Sequence, residues 1–219
     1  MRSTSVVLAL LLAGPLLAQK PATPPVSPPE ESHLTAFLEL GGANSMFFGD
    51  LKRIHSGYGV DVAAVLSPQY PLLLAFGVNY TRHSTDSTTE KLGLTQTYIE
   101  PRFMLKRSGR LIPIVAARLA FARWHQTITL IDDTGVNVTG EAVATGPSLG
   151  ASATLLYKSS PHVRTYLTVT GQSSHFGDLD LDGARVSGSA ETGITALVRA
   201  GISIDFSLEP APFRAHPGR

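Results

Sequence analysis

The chain has 219 residues, a formal net charge of +1, 16% charged residues and no cysteine. That length suits one sizeable domain, and the missing cysteine excludes disulfides, thiol catalysis and a lipid-modified N-terminal cysteine. The near-neutral charge gives no electrostatic reason to expect a nucleic-acid partner, and beyond the N-terminus no apolar run reaches the ~18 residues of a transmembrane helix.

Residues 1–18 read as a secretory signal peptide. Arg2 supplies the positive start, Val6 to Leu12 the apolar core and Ala18 the small residue at the cleavage point. Leu16 departs from the small residue usual at that distance before the cut. Residues 19–33 contain Pro21, Pro24, Pro25, Pro28 and Pro29, which predicts an extended periplasmic linker.

From Leu34 onward the hydropathy alternates with period two, the mark of strands with one apolar and one polar or small face. Strand one sets Leu34, Ala36, Leu38 and Leu40 against Phe37, Glu39 and Gly41. Strand two sets Tyr58, Val60, Val62, Ala64 and Leu66 against Gly59, Asp61 and Ala63. In strand three Leu72, Leu74, Phe76, Val78 and Tyr80 oppose Ala75, Gly77, Asn79 and Thr81. In strand four Thr97, Ile99, Pro101, Phe103 and Leu105 oppose Gln96, Tyr98, Glu100, Arg102 and Met104. Strand five sets Leu111, Pro113, Val115, Ala117, Leu119 and Phe121 against Ile114, Ala116, Arg118 and Ala120. Strand six sets Val143, Pro147, Leu149, Ala151, Ala153, Leu155 and Tyr157 against Gly146, Ser148, Gly150, Ser152 and Thr154. Strand seven, from Val163 to Val169, alternates least cleanly, and strand eight, Glu191 to Phe206, most cleanly. Pro101, Pro113 and Pro147 on the apolar faces either weaken their strands or mark bulges.

The connections alternate in length. Short turns are expected at Ser67–Pro71, Lys106–Arg110 and Lys158–Pro161, and long polar loops at Ser45–Gly57, His83–Gly93, Gln126–Gly140 and His175–Ser187. Short periplasmic turns with longer extracellular loops are the layout of an outer-membrane barrel. The expected fold is therefore all-β: an eight-stranded antiparallel up-and-down transmembrane barrel over residues 34–206, followed by a short periplasmic tail, 207–219. A soluble eight-stranded barrel binding a small ligand would share the period with its apolar face inward. Against it, the polar face is built of Gly, Ala, Ser and Thr, which fit a narrow interior, and Lys is missing from the strand interiors.

The strand pattern from Leu34 to Phe206 resembles the OmpA/OmpX-like family of small eight-stranded outer-membrane barrels. In that family the last strand closes with a polar residue, a glycine two positions on, and then apolar or aromatic residues ending in Phe. Arg199, Gly201, Ile204 and Phe206 fill those places here. The resemblance implies residence in the outer membrane of a Gram-negative-type bacterium, as a monomer among lipid and lipopolysaccharide. It also implies that this strand is recognised by the outer-membrane assembly machinery. Ile204 stands where an aromatic is common, and the tail after Phe206 is too short for a peptidoglycan-binding domain.

Inward parity falls on Glu39, Asp61, Glu100, Arg102, Arg118 and Arg199, with Arg164, Glu191 and Asp205 as further inward charges. Charges in so small an interior need partners, which predicts a hydrogen-bonded ionic network that plugs the barrel. A gated pore or a paired-carboxylate site is the competing reading. The spacing D-x-D-x-D-G at Asp178, Asp180, Asp182 and Gly183 matches the opening of an EF-hand calcium loop, making these three acids candidate calcium ligands. The twelfth position is Ser189 instead of a bidentate Glu, and a solvated acidic loop tip is the plainer alternative.

Ser173 and His175 share outward parity, as a lipid A hydrolase built on such a barrel would require. The local run Gln172 to Asp178 lacks that group's His-x-Ser order, and Glu191 has the opposite parity. His55, His83 and His125 are expected as solvated loop residues. Arg82, Arg123 and His125 stand at upper strand ends, where lipopolysaccharide phosphates would lie, with Tyr80 and Trp124 as girdle aromatics. Together these features predict a non-enzymatic surface-loop carrier with no cofactor beyond the candidate calcium and with an unidentified surface ligand.

Overall fold

Eight long strands run alternately up and down: β1 Thr35–Gly49, β2 Gly57–Gln69, β3 Leu72–Ser84, β4 Lys91–Met104, β5 Leu111–Ile131, β6 Asn137–Lys158, β7 Val163–Phe176 and β10 Glu191–Ser207. Two short strands, β8 Leu179–Leu181 and β9 Ala184–Val186, form a hairpin between β7 and β10. The computed structural model describes residues 35–49, 51, 54–85, 91–106, 109–131 and 137–207. The expected signal peptide, the linker, Leu34 and the tail beyond Ser207 lie outside the described residues.

Each long strand pairs antiparallel with its neighbours, and β10 returns to β1 over a register from Thr35↔Ser207 to Gly49↔Gly193. That seam closes the barrel and removes the free edges an open sheet would expose. The expected parity holds around the wall. Leu119, Leu149, Val169 and Ile194 are more than half exposed on the outside, whereas Glu39, Asp61, Glu100 and Arg118 are buried within. Aromatic side chains mark both rims of the outer belt: Phe103, Tyr157 and Phe206 near the short turns, and Phe48, Tyr58 and Tyr80 near the loops. A soluble barrel would bury this apolar face, so the exterior rules that alternative out. Leu119→Arg on the belt is expected to lower stability in lipid vesicles by about 2–4 kcal/mol, as for an arginine near the bilayer midplane. Urea titration checks this, with Val186→Arg in the β9 hairpin as the silent control.

The strands extend further toward the loops than the sequence predicts. β1 continues to Gly49, β3 to Ser84 and β5 to Ile131, while β4 already starts at Lys91 and β6 at Asn137. Three of the four long loops shrink accordingly. The reason is visible in β1 and β4, where Phe47, Leu92 and Leu94 are buried inside. Apolar residues on both parities erase the two-residue contrast on which the strand reading depends. The prolines mark no register shift. The β4–β5 ladder resumes in register on either side of Pro101, and the one irregularity between β2 and β3 falls between Leu66 and Gln69.

β5 and β6 pair as far as Ile131↔Asn137. Above the end of β7, β6 takes β8 as its second neighbour, at Ala142↔Leu181 and Val143↔Asp180. A small sheet of β5, β6, β8 and β9 therefore stands on one side of the barrel mouth.

Candidate functional site

The six charged residues expected inside come together as one cluster. Arg102 on β4 binds Glu39 on β1 through both terminal nitrogens, at 2.7 and 2.9 Å, and its Nε donates to Glu100 at 3.1 Å. Glu100 is the hub. Its Oε2 accepts from Arg199 on β10 at 2.9 Å and from Arg118 on β5 at 3.3 Å. Its Oε1 also accepts from Ser152 on β6, at 3.0 Å. Asp61 on β2 accepts from the Tyr98 hydroxyl at 3.0 and 3.1 Å and lies 3.5 Å from the Arg199 guanidinium.

Three carboxylates thus face three guanidiniums, and none of the six is more than 2% exposed. Burying charge in this way is tolerable only where each is paired and hydrogen-bonded. Tyr98 serves three times: its hydroxyl donates to Asp61 and accepts from Arg199 at 2.8 Å, while its ring lies 3.6 Å beneath the Arg118 guanidinium. Gly77 lies opposite Tyr98 across the β3–β4 pair and leaves room for that ring, where a Cβ would run into the Tyr98 side chain. Tyr98, Gln96 and Ser152 have inward parity in the sequence, but only the three-dimensional register shows that they complete the cluster.

Toward the loops, polar contacts give way to an apolar layer. Ser45, Thr81 and His83 form a triangle with sides of 2.9 to 3.1 Å, and the other nitrogen of His83 meets the His55 carbonyl oxygen at 2.9 Å. His83 is therefore an interior residue, 2% exposed, and not the solvated loop histidine expected. It points inward from the loop end of β3, which runs on past the predicted boundary. Above it, Phe47, Leu51, Ile54, Leu92, Leu94, Ala122, Ala144 and Phe176 close the mouth. Leu51 and Ile54 come from the segment between β1 and β2, and Gly193 makes space for the Leu51 side chain.

Trp124 packs against this layer, edge-on to Phe176 at 5.8 Å. It shares the inward parity of Ala122, which corrects its assignment to the lipid-facing girdle; Tyr80 does face outward. As Trp124 is the sole tryptophan, its emission is expected to resist quenching by lipids brominated on their acyl chains, which would quench a girdle tryptophan strongly.

Between the ionic cluster and the apolar layer, several buried polar atoms have no hydrogen-bond partner among the described residues: Gln96 Nε2, Thr170 Oγ1, Thr195 Oγ1 and both amide atoms of Gln172. Toward the short turns, Phe37, Val65, Leu73, Ala75, Ile112, Ile114 and Leu156 form a second apolar layer, with Met104 against it. There Arg164 pairs with Asp205 at 3.2 Å. Glu191, expected inside, is exposed at the loop end of β10.

The three acids expected to bind calcium each accept hydrogen bonds that hold the loop. Asp178 accepts from Arg185 Nε at 3.0 Å and from the Gly188 amide at 3.1 Å. Asp180 accepts from the Gly183 amide at 2.7 Å, and Asp182 from the Glu141 amide at 2.9 Å. Asp182 and Gly183 both have positive φ, at 51° and 87°, the pair of angles a type I′ hairpin turn requires. The D-G step thus turns the β8–β9 hairpin, and among the described residues no three acids or histidines gather as a metal site.

Ser173 and His175 do face outward, but His175 Nδ1 bonds to Thr192 at 2.8 Å, and Glu191 sits across from Phe176 instead of behind the histidine. Among the described residues no acid is bonded to His175, so Ser173, His175 and Glu191 do not come together as a hydrolase triad. His125 pairs with Glu141 on the exposed upper arm of β5 and β6. Arg82 and Arg123 are exposed near the upper rim, as expected.

The closed wall, the aromatic-rimmed apolar exterior and the ion-paired interior define an integral outer-membrane β-barrel of the small eight-stranded type. The comparison with solved structures agrees on the fold. The chain is similar to the Neisserial surface protein NspA, with 17% identity and a TM-score of 0.53 over 78% of this chain and 97% of that one. It is also similar to a major outer membrane protein from Thermus thermophilus, with 14% identity and a TM-score of 0.54 over 78% and 99%. No protein-family model and no curated protein matches the sequence.

Proposed function

We propose that the chain is a non-enzymatic, non-conducting outer-membrane protein whose barrel serves as a rigid mount for the structures at its loop end. The observation that carries this reading is the Glu100 hub. Arg102, Arg118, Arg199 and Ser152 converge on one carboxylate and tie together four different strands across the lumen. The apolar layer around Phe47 and Phe176 lies across the same path. An interior filled in this way leaves no aqueous route, as expected for eight strands.

Reconstituted in planar bilayers, the protein is expected to show no steady conductance above the bare membrane at any moderate voltage. Regular single-channel steps abolished by a bulky substitution at Ser152 would overturn the plug. Arg82 and Arg123 beside Tyr58 and Tyr80 suit the phosphate-rich upper interface of lipopolysaccharide.

Recognition by the assembly machinery is proposed to fall mainly on Ile204 and Phe206. Phe206 is 48% exposed at the lower rim, whereas Arg199 is completely buried in the cluster. The raised sheet of β5, β6, β8 and β9 is the surface best placed to meet an external partner.

A further inference from the structure

The lower apolar layer surrounds a blind cavity of about 350 Å³, within the usual range for small-ligand pockets. Its walls are Leu73, Ile112, Ile114, Leu156 and Met104, and its inner end is Glu39 beside Ser203. Glu39 is already neutralised by Arg102 at 2.7 Å. The rim near the short turns carries Lys158 and Arg164. Arg164 shares Asp205 at 3.2 Å, its guanidinium lies 4.5 Å from the Phe37 ring, and its buried Nε has no partner among the described residues. With Asp205 offsetting one cation, the rim has a surplus of positive charge over a mainly apolar shaft whose polar lining is Thr35, Ser67, Tyr70, Ser203 and Glu39. The run from Thr35 to Glu39 makes that shaft about 10 Å deep, at roughly 3.3 Å per residue and a strand tilt near ~40°.

We infer that this cavity is a binding site for a single-chain anionic amphiphile of medium length. The alkyl chain enters the lumen from the periplasmic end, and the carboxylate or phosphate head stays at Lys158 and Arg164. Charge complementarity selects the head, because a cationic head would meet the same two side chains unfavourably. The apolar walls select the tail, since each buried methylene favours binding over water. The closed inner end limits its length. This site is independent of whether the barrel conducts.

The test uses the full chain folded in zwitterionic lipid nanodiscs and decanoate bearing a diazirine at the chain end. Photolysis is expected to label Leu73, Ile112 or Ile114 on the inner face saturably, as read by peptide mass mapping. Excess decanoate or decyl phosphate should displace the label, and whichever competes better identifies the preferred head. Decylamine should not displace it. Lys158→Glu is expected to weaken competition by decanoate about fivefold, a rim charge contact being worth ~1 kcal/mol. Label confined to lipid-facing residues such as Leu72, Val115 and Phe206 would overturn the site. Displacement by decylamine as effective as by decanoate would also do so, and both outcomes are read on the unmutated protein.

Discussion

Glu100→Ala is expected to destabilise the barrel by about 3–5 kcal/mol, the range for removing one member of a buried ionic group. Glu100 is fully buried and offers acceptors to Arg102, Arg118 and Arg199 at 2.9 to 3.3 Å. Without it, Glu39 still holds Arg102, and Asp61 partly holds Arg199 at 3.5 Å. Arg118 loses its only carboxylate partner among the described residues and keeps a long contact to Gln96 at 3.5 Å. The cost thus comes from an uncompensated guanidinium that cannot reach water. The double variant Glu100→Gln/Arg118→Gln, which restores charge balance, should recover more than half of the loss. Urea unfolding in lipid vesicles, followed by the mobility shift of heated and unheated samples, measures both. If Glu100→Ala unfolds at the wild-type midpoint, the cluster contributes nothing to stability.

Gly201→Val is expected to prevent the barrel from closing at all. Gly201 on β10 faces Gly41 on β1 across the seam. A Cβ at Gly201 would run into the Leu40 carbonyl oxygen and lie 2.5 Å from Gly41 Cα. A Cβ at Gly41 would meet the Tyr166 hydroxyl and lie 2.5 Å from the Ala200 carbonyl oxygen. Ordinary overpacking costs about 1–3 kcal/mol because side chains give way, but here the obstacle is backbone. The expected cost exceeds ~4 kcal/mol, which few single substitutions reach. Gly201→Val should therefore yield no compact, heat-modifiable band on refolding into vesicles without any assembly protein. Phe206→Ala, on the outer rim, should fold in the same vesicles as wild type does. A folded Gly201→Val protein would show that the seam accommodates a side chain there and that closure does not require the glycine.

The wall is legible in the sequence because lipid outside and a narrow lumen inside impose opposite demands on successive residues. β10 shows this best, with Ile194, Ile202 and Phe206 outside and Thr195, Arg199 and Ser203 inside. The six charges of the cluster are legible for the same reason, since each interrupts a face that cannot touch lipid. Their pairing is not, because Arg102 and Glu39 meet across 63 positions of chain, and only the barrel's stagger brings them level. Where the lumen turns apolar, at Phe47, Leu92 and Leu94, the contrast between parities disappears, and with it the true ends of the strands. Trp124 is misplaced by the same loss of contrast. The acidic motif is ambiguous for another reason: an Asp-Gly step suits a hairpin turn as well as a calcium loop, and the positive φ of Asp182 and Gly183 shows that it makes the turn.

The cluster also bears on the order in which the wall can be completed. Without β10, the central cluster holds Glu39, Asp61 and Glu100 against Arg102 and Arg118, an excess of one negative charge, while Arg164 below it lacks Asp205. Arg199 arrives with the last strand, bonding Glu100 at 2.9 Å and the Tyr98 hydroxyl at 2.8 Å. The same strand forms the glycine seam with β1. Neutrality of the cluster, pairing of Arg164 and closure of the wall are therefore reached in one step, and a wall lacking its final strand keeps both an unpaired edge and unpaired charges. Membrane insertion of this chain should accordingly behave as a single concerted event, with partly inserted forms disfavoured on two counts at once.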